Sequence, residues 1–190
     1  MANDDYYGSE REDIIALIPL SARRVLDVGC GFGLMGKKLK EKNSDIEVVG
    51  IEFVESAAEV AKKNVNKVIT GNVEDIKLPF AHGYFDCLVY GEVLEHLKDP
   101  WKLLKEHARY LRRGGYCIAS LPNISHYSII EGLMKDRWDY EDSGILDNTH
   151  LRFFTINGIR KMFADSGYVI EDEKRYIRAS KIKKIIGKLL

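Results

Sequence analysis

Apolar residues in this chain fall into short runs of strand length, separated by stretches with helical spacing. RVLDV at 24–28 leads into GCGFG and then into Leu34 to Lys42, whose residues suit a helix. IEVVGIEF at 46–53 reads as a second buried strand from its β-branched run. Ser56 and Glu59 form a capping-box pair that predicts a helix through Asn64. KVIT (67–70), FDCLVYG (85–91) and YCIASLPN (116–123) supply three further strands, and YVIEDEKRYI (168–177) alternates as a sixth. Asp99 and Pro100 open a helix whose buried face carries Trp101, Leu104, Ala108 and Leu111, and Gly114 with Gly115 ends it. Helices are also expected over 9–18, stopping before Pro19, and from Thr155 to Ser166, stopping at Gly167. Residues 124–154 read as an irregular insert rich in aromatics.

Strands alternating with helices in this way predict an α/β fold, a doubly wound and mostly parallel sheet covered on both faces. Ligands of such sheets sit beyond the carboxyl ends of the strands, near the point where strand order reverses. The loops after the first five strands should therefore line one site.

Composition narrows the function classes. The chain has 190 residues with 29 basic and 29 acidic side chains, a net charge of zero that gives no general pull toward nucleic acid. That length suits one core better than two. Cys30, Cys87 and Cys117 lack zinc-type spacing and lie largely in apolar runs, which suits a reducing, cytoplasmic compartment. The acidic, polar start MANDDYYGSERED is unlike a signal peptide, and no apolar run approaches transmembrane length, so a soluble protein is expected.

The chemistry begins at Gly29, Gly31 and Gly33. A strand, a glycine turn and a helix start in succession let backbone N–H groups approach a small charged ligand closely. Glu52, at the end of the second strand, stands about 20 residues on, where dinucleotide folds place an acid on ribose hydroxyls. Two details separate this loop from those folds. Leu34 breaks the G-x-G-x-x-G spacing, and Asp27 would repel a pyrophosphate while favouring a cationic group such as the amino end of a methionine moiety. A NAD-dependent oxidoreductase is thus the disfavoured alternative.

VLDVGCGFG, together with GIEF, GNVEDIKLPF and FDCLVYGEVLEHLKDP at their intervals, resembles the Rossmann-like (class I) S-adenosylmethionine-dependent methyltransferases. The resemblance implies that Asp27, Gly29 and Gly31 hold the methionine end, Glu52 the ribose, and that Phe53 lies against adenine. Phe53 as a plain core residue is the alternative. Asn72 stands where many relatives have an aspartate near the adenine amino group, Val73 would offer its backbone N–H, and Cys30 and Tyr90 complete the implied cofactor set. Relatives normally add a final antiparallel strand, for which there is no candidate here. S-adenosylhomocysteine would be the product.

EVLEHL places Glu92, Glu95 and His96 at i, i+3 and i+4, on one face of a helix, and His150 follows in THLRFFT. Two carboxylates and two imidazoles suit a divalent ion such as Mg or Mn. The pattern resembles small-RNA 2′-O-methyltransferases and, more loosely, ubiquinone-biosynthesis O-methyltransferases, where such residues accompany a metal beside the substrate hydroxyl. This makes Glu92, Glu95, His96 and His150 the catalytic candidates. The alternatives are that Glu95 and His96 merely cap or solvate a short helix, or that His96 or His150 is a metal-free base. Tyr6, Tyr7, Tyr127, Trp138 and Tyr140 either line an acceptor pocket or pin the insert to the sheet, and Arg137 and Arg152 either meet an anionic acceptor or serve, by default, the surface.

The expectation is a methyltransferase domain over 1–177 acting on a small-molecule acceptor, more readily at oxygen than nitrogen. A non-catalytic binding module is the competitor, and the neutral charge argues against RNA as partner. Residues 178–190 are expected to form a separate basic amphipathic helix, which packs against the domain or a partner or, from 181, touches an anionic membrane weakly.

Overall fold

A computed structural model describes residues 11–174. Its elements are α1 (Glu12–Ile15), β1 (Arg24–Val28), α2 (Leu34–Lys42), β2 (Glu47–Glu52), α3 (Glu55–Ala61), β3 (Lys67–Thr70), β4 (Phe85–Gly91), a 3₁₀ turn (Leu94–His96), α4 (Pro100–Ala108), β5 (Leu111–Ser120), α5 (Tyr127–Met134) and α6 (Ile156–Asp165). The strands form one sheet in the order β3-β2-β1-β4-β5, and every pairing in it is parallel.

Consecutive strand residues serve opposite faces of the sheet. Leu26, Val28, Val49, Ile51, Leu88 and Tyr90 pack with Leu104 of α4 and Met162 of α6. Val25, Val48, Cys87, Val89 and Ile118 pack on the other face with Ile14 of α1 and Leu39 of α2. Both faces are thereby buried, which is why these strands read as continuous apolar runs. The chain moves outward from β1 in both directions, so the switch point lies between β1 and β4. There the register aligns Val28 with Ile51 on one side and Tyr90 on the other, and Gly91 with Ser120.

Several elements differ from expectation. α3 starts at Glu55 from Val54, with no side-chain cap, so Ser56 and Glu59 are not a capping box. Gly114 and Gly115 do not end a helix: α4 stops at Ala108, and both glycines lie in β5. A Cβ on Gly115 would stand 2.9 Å from the Asp86 carbonyl oxygen, beside the register shift between Phe85 and Cys87. The 124–154 insert is not irregular throughout, since it contains α5, none of whose residues is buried. Residues 168–174 make no strand despite their alternation, and 175–177 lie outside the described residues, as do Tyr6, Tyr7 and the tail at 178–190. No helix among the described residues is long and apolar enough to cross a membrane. The α4 cap stands as read: Asp99 Oδ1 accepts from Lys102 N at 2.9 Å, followed by Pro100 in the first turn.

Candidate active site

The loop after β1 takes its shape from glycine. Gly29, Gly31 and Gly33 have φ of 70°, 54° and 73°, a region that side chains with a Cβ rarely adopt. At Gly29 space is a second constraint, because a Cβ would stand 2.5 Å from Val93 Cγ2. The N–H groups of Gly29 and Cys30 donate to the Ile51 carbonyl at 2.8 and 3.0 Å, tying the loop to β2. Glu52, 5% exposed, accepts from Gly31 N at one carboxylate oxygen and from Val54 N at the other, each at 2.8 Å. A carboxylate has about four acceptor sites, so hydroxyl donors can still be received there.

Asp27 is buried at the end of β1. Burial pushes its pKa up to about 7, the Arg11 charge pulls it back, and Glu52 adds to the rise. A cation placed against it would recover the carboxylate. Arg11 has no marker in the sequence, yet its guanidinium reaches this corner. Nη2 donates to Ser120 Oγ at 2.8 Å, and Nε lies 3.3 Å from Asp13 Oδ1. A Cβ on Gly91 would stand 3.0 Å from Arg11 Nη1.

On the far side, Phe53 is 72% exposed, which removes the alternative of a core residue. Asn72 Oδ1 accepts from Glu74 N at 3.1 Å, and its Nδ2 donates to Asp75 Oδ2 at 2.9 Å. The side chain of Val73 belongs to the core, which leaves only its main chain to face a ligand. Cys30 turns inward: its Sγ would lie 2.5 Å from a Cβ on Gly50, and burial pushes its thiol pKa up. Any contact from Cys30 is therefore through its backbone. Tyr90 needs correction as a cofactor residue. Its side chain is fully buried, and its hydroxyl pairs with His107 Nδ1 at 2.9 Å between the sheet and α4.

Beyond β4, ligating atoms of Glu95, His96 and His150 all lie within 4.8 Å of one another. Glu95 is 0% exposed, and neither carboxylate oxygen has a hydrogen-bond partner among the described residues. Burial, then the neighbouring Glu92, pushes its pKa up to about 8. A solvated helix end does not describe it. His96 Nδ1 faces the Thr149 carbonyl at 3.3 Å, and His150 Nδ1 faces the Ile145 carbonyl at 3.1 Å. A carbonyl only accepts, so both rings carry a proton at Nδ1. Burial, then His150, lowers the His96 pKa.

Two residues are corrected here. Glu92 stands outside the cluster, because its φ of 56° and the 3₁₀ turn after it break the helical spacing that i and i+3 presume. It binds Ser120 instead, with Ser120 Oγ donating to Oε1 at 2.6 Å. Arg152 donates from Nε to the Lys98 carbonyl at 3.1 Å and stands over the Trp101 ring, so it serves the scaffold. The Leu151 and Arg152 N–H groups both donate to the Glu95 carbonyl at 2.9 Å, which fastens the His150 segment beside the 3₁₀ turn. Phe153 lies 6.2 Å from the His150 ring and 5.2 Å from Trp138, which in turn is 6.4 Å from Tyr140. These rings form an aromatic wall leading outward from the cluster. Arg137 is exposed, its N–H spent on the Gly132 carbonyl at 2.9 Å.

Residues 26–119 match the family model of a methyltransferase domain. An uncharacterized protein of Methanocaldococcus jannaschii is 34% identical over 119 residues, covering 63% of this chain and 53% of that protein. A ubiquinone biosynthesis O-methyltransferase of Psychrobacter arcticus is 27% identical over 174 residues, covering 87% and 66%. Among solved structures, a Thermotoga maritima protein described as a possible histamine N-methyltransferase superposes with a TM-score of 0.65 at 26% identity, covering 86% of this chain and 72% of that one. The chain belongs to the Rossmann-like, class I S-adenosylmethionine-dependent methyltransferases. It spans roughly half to two thirds of the length of the curated relatives first matched, 45%, 53% and 66%.

Proposed function

We propose that this chain moves the methyl group of S-adenosylmethionine to a hydroxyl of a small-molecule acceptor, of sugar, quinone or phenol type, with a divalent metal at Glu95, His96 and His150. The observation that carries the oxygen and metal reading is the Glu95 carboxylate, wholly buried and without a partner among the described residues beside two histidines. A buried carboxylate left this way is costly unless something cationic completes it. The donor set of one oxygen and two nitrogens suits a borderline divalent ion such as Mn²⁺ better than Mg²⁺, which takes oxygen ligands almost throughout. When bound, a divalent ion lowers the pKa of a coordinated hydroxyl.

The chain's own residues do the rest. The Gly29–Gly33 loop and Glu52 would hold the donor's ribose and methionine portions, Asp27 its amino group and Arg11 its carboxylate. The methyl donor is already activated, so the residues mainly fix the direction in which an acceptor oxygen meets it. His96 and His150 are oriented by Nδ1–H bonds to the Thr149 and Ile145 carbonyls, which turns their other ring edges away from those carbonyls. The aromatic wall of Phe153, Trp138 and Tyr140 offers a flat apolar body a place to lie. Likeness to ubiquinone biosynthesis O-methyltransferases supports oxygen as the target. N-methylation is the second reading, favoured by the description of the Thermotoga structure.

Calorimetric titration of wild type, Glu95→Gln and His96→Ala with Mn²⁺ and Mg²⁺ tests the metal. Losses on the order of tenfold or more in both variants are expected, with S-adenosylhomocysteine affinity retained. Equal weak binding by all three removes the metal, and a wild type blind to S-adenosylhomocysteine removes the donor.

A further inference from the structure

The stretch DNTH at 147–150 carries three polar side chains ahead and through Thr149, and two of them form a chain that ends on His96. Asp147 is 8% exposed. Its Oδ1 receives both donors of Thr149, the main-chain N–H at 2.8 Å and the hydroxyl at 2.6 Å. A hydroxyl has one proton, and the second of these bonds spends it. Thr149 Oγ1 also lies 3.2 Å from His96 Nδ1, 53 residues away in sequence, so there it accepts. The Nδ1 proton of His96 is thus shared between two acceptors of one residue, the Thr149 hydroxyl and the Thr149 carbonyl at 3.3 Å.

Those acceptors are unlike. The carbonyl is a neutral dipole, whereas the hydroxyl oxygen is polarised by the carboxylate behind it, and bonds in such a chain strengthen one another. Imidazoles that serve a metal commonly give their other ring N–H to a carboxylate or a carbonyl, which fixes the ring and raises its basicity. His96 meets the carbonyl directly and the carboxylate through one hydroxyl. The backbone holds each link in place: His150 N donates to the Asp147 carbonyl at 3.0 Å, and Leu151 N and Arg152 N donate to the Glu95 carbonyl.

We propose that Thr149 is a positioning residue for His96, passing it the hold of the Asp147 carboxylate through one hydroxyl, and that this relay strengthens the imidazole as a ligand in the Glu95, His96 and His150 site. This rests on the metal part of the function proposed above and not on its donor or acceptor. Thr149 touches no ion in this role; it acts through His96.

The test reads the ring and the ion separately. In metal-free, ¹⁵N-labelled protein the His96 Nδ1 proton is followed by NMR, and Mn²⁺ affinity is measured by calorimetry. Thr149→Val keeps the side-chain shape and the carbonyl but loses the hydroxyl. Asp147→Asn keeps an oxygen for the Thr149 N–H and hydroxyl but loses the charge. Each is expected to move the Nδ1 proton upfield and to weaken Mn²⁺ on the order of tenfold, the low end for removing such a support. The double variant should lose no more than the larger single loss, because the two residues act as one chain. Thr149→Ser should restore both readings. An unmoved Nδ1 proton in Thr149→Val overturns the proposal, as do additive losses, failure of Thr149→Ser to rescue, or equal Mn²⁺ affinity in Thr149→Val and a wild type that binds the ion. A wild type that binds no Mn²⁺, while the proton shift and its rescue hold, removes the metal reading and leaves the relay to His96 standing.

Discussion

Cys30 Sγ fills the space that a Cβ on Gly50 would need, lying 2.5 Å from that position. The glycine loop thus rests on the middle of β2 through a thiol that enters a gap left by a missing side chain. Gly50→Ala is expected to destabilise the protein by about 1–3 kcal/mol, the usual range for overpacking a core. It should also weaken S-adenosylhomocysteine binding, because the loop is displaced. Adding Cys30→Ala should recover part of both losses. Urea unfolding of the two single variants and the double variant decides it, and additive losses would break the link.

Asp27 gives a pH-dependent prediction. Its pKa rises to about 7 in the folded protein, chiefly through burial, against about 3.9 in an unfolded chain. Between those values the folded state keeps a proton that the unfolded state has lost. The associated stability is fully present below roughly pH 4 and is lost as pH rises through about 7. Asp27→Asn removes that loss. The ligand-free variant should gain on wild type by up to about 1.4 kcal/mol per pH unit across the window, then level off. The same change should weaken S-adenosylhomocysteine, a trade of binding for stability. A stability difference that does not vary with pH would contradict the assignment.

Phe53 is exposed at the end of β2 with nothing in the fold that requires an aromatic ring there. Phe53→Ala should leave unfolding within about 0.5 kcal/mol of wild type. S-adenosylhomocysteine should bind roughly tenfold more weakly, the upper part of what an aromatic contact contributes. Calorimetry beside thermal unfolding separates the two effects. Unchanged binding would dismiss Phe53 from the adenine site.

Tyr90 and His107 should show the opposite pattern. Burial, then Arg109, pushes the His107 pKa down to about 4. A depressed histidine contributes stability that is present above its unfolded pKa, near 6.5, and is lost as pH falls through about 4. Tyr90→Phe leaves His107 Nδ1 without its hydroxyl partner and should cost about 1–3 kcal/mol at neutral pH. S-adenosylhomocysteine affinity should not change. A binding loss without a stability loss would return Tyr90 to the cofactor site.

The sheet was readable from sequence because strands buried on both faces spell out apolar runs, as in VLDV and FDCLVYG, and because the glycine loop has its own spacing. What escaped depends on neighbours distant in the chain. Gly50 looks like any glycine until Cys30 is placed against it, and Arg11 is one basic residue among 29 until β5 brings Ser120 to it. The segment YSIIEGLM makes only about two helical turns, too short for its apolar side to stand out as a period, and α5 buries none of its residues. Residues 168–174 alternate like a strand, yet alternation carries no information about whether a sheet edge is there to pair with. EVLEHL supplied Glu95 and His96 to the cluster with His150, but its helical spacing failed at Glu92, where the backbone turns left-handed.

Glu52 imposes a limit on redesign. The Gly31 and Val54 N–H groups already occupy one site on each of its oxygens, so one carboxylate both shapes the loop and would receive the ribose. Recognition and architecture would then share those two atoms. Exchanging Glu52 to admit a different sugar would loosen the cradle before it altered preference, so a change of nucleotide selectivity must start from residues around the ribose, leaving this acid in place.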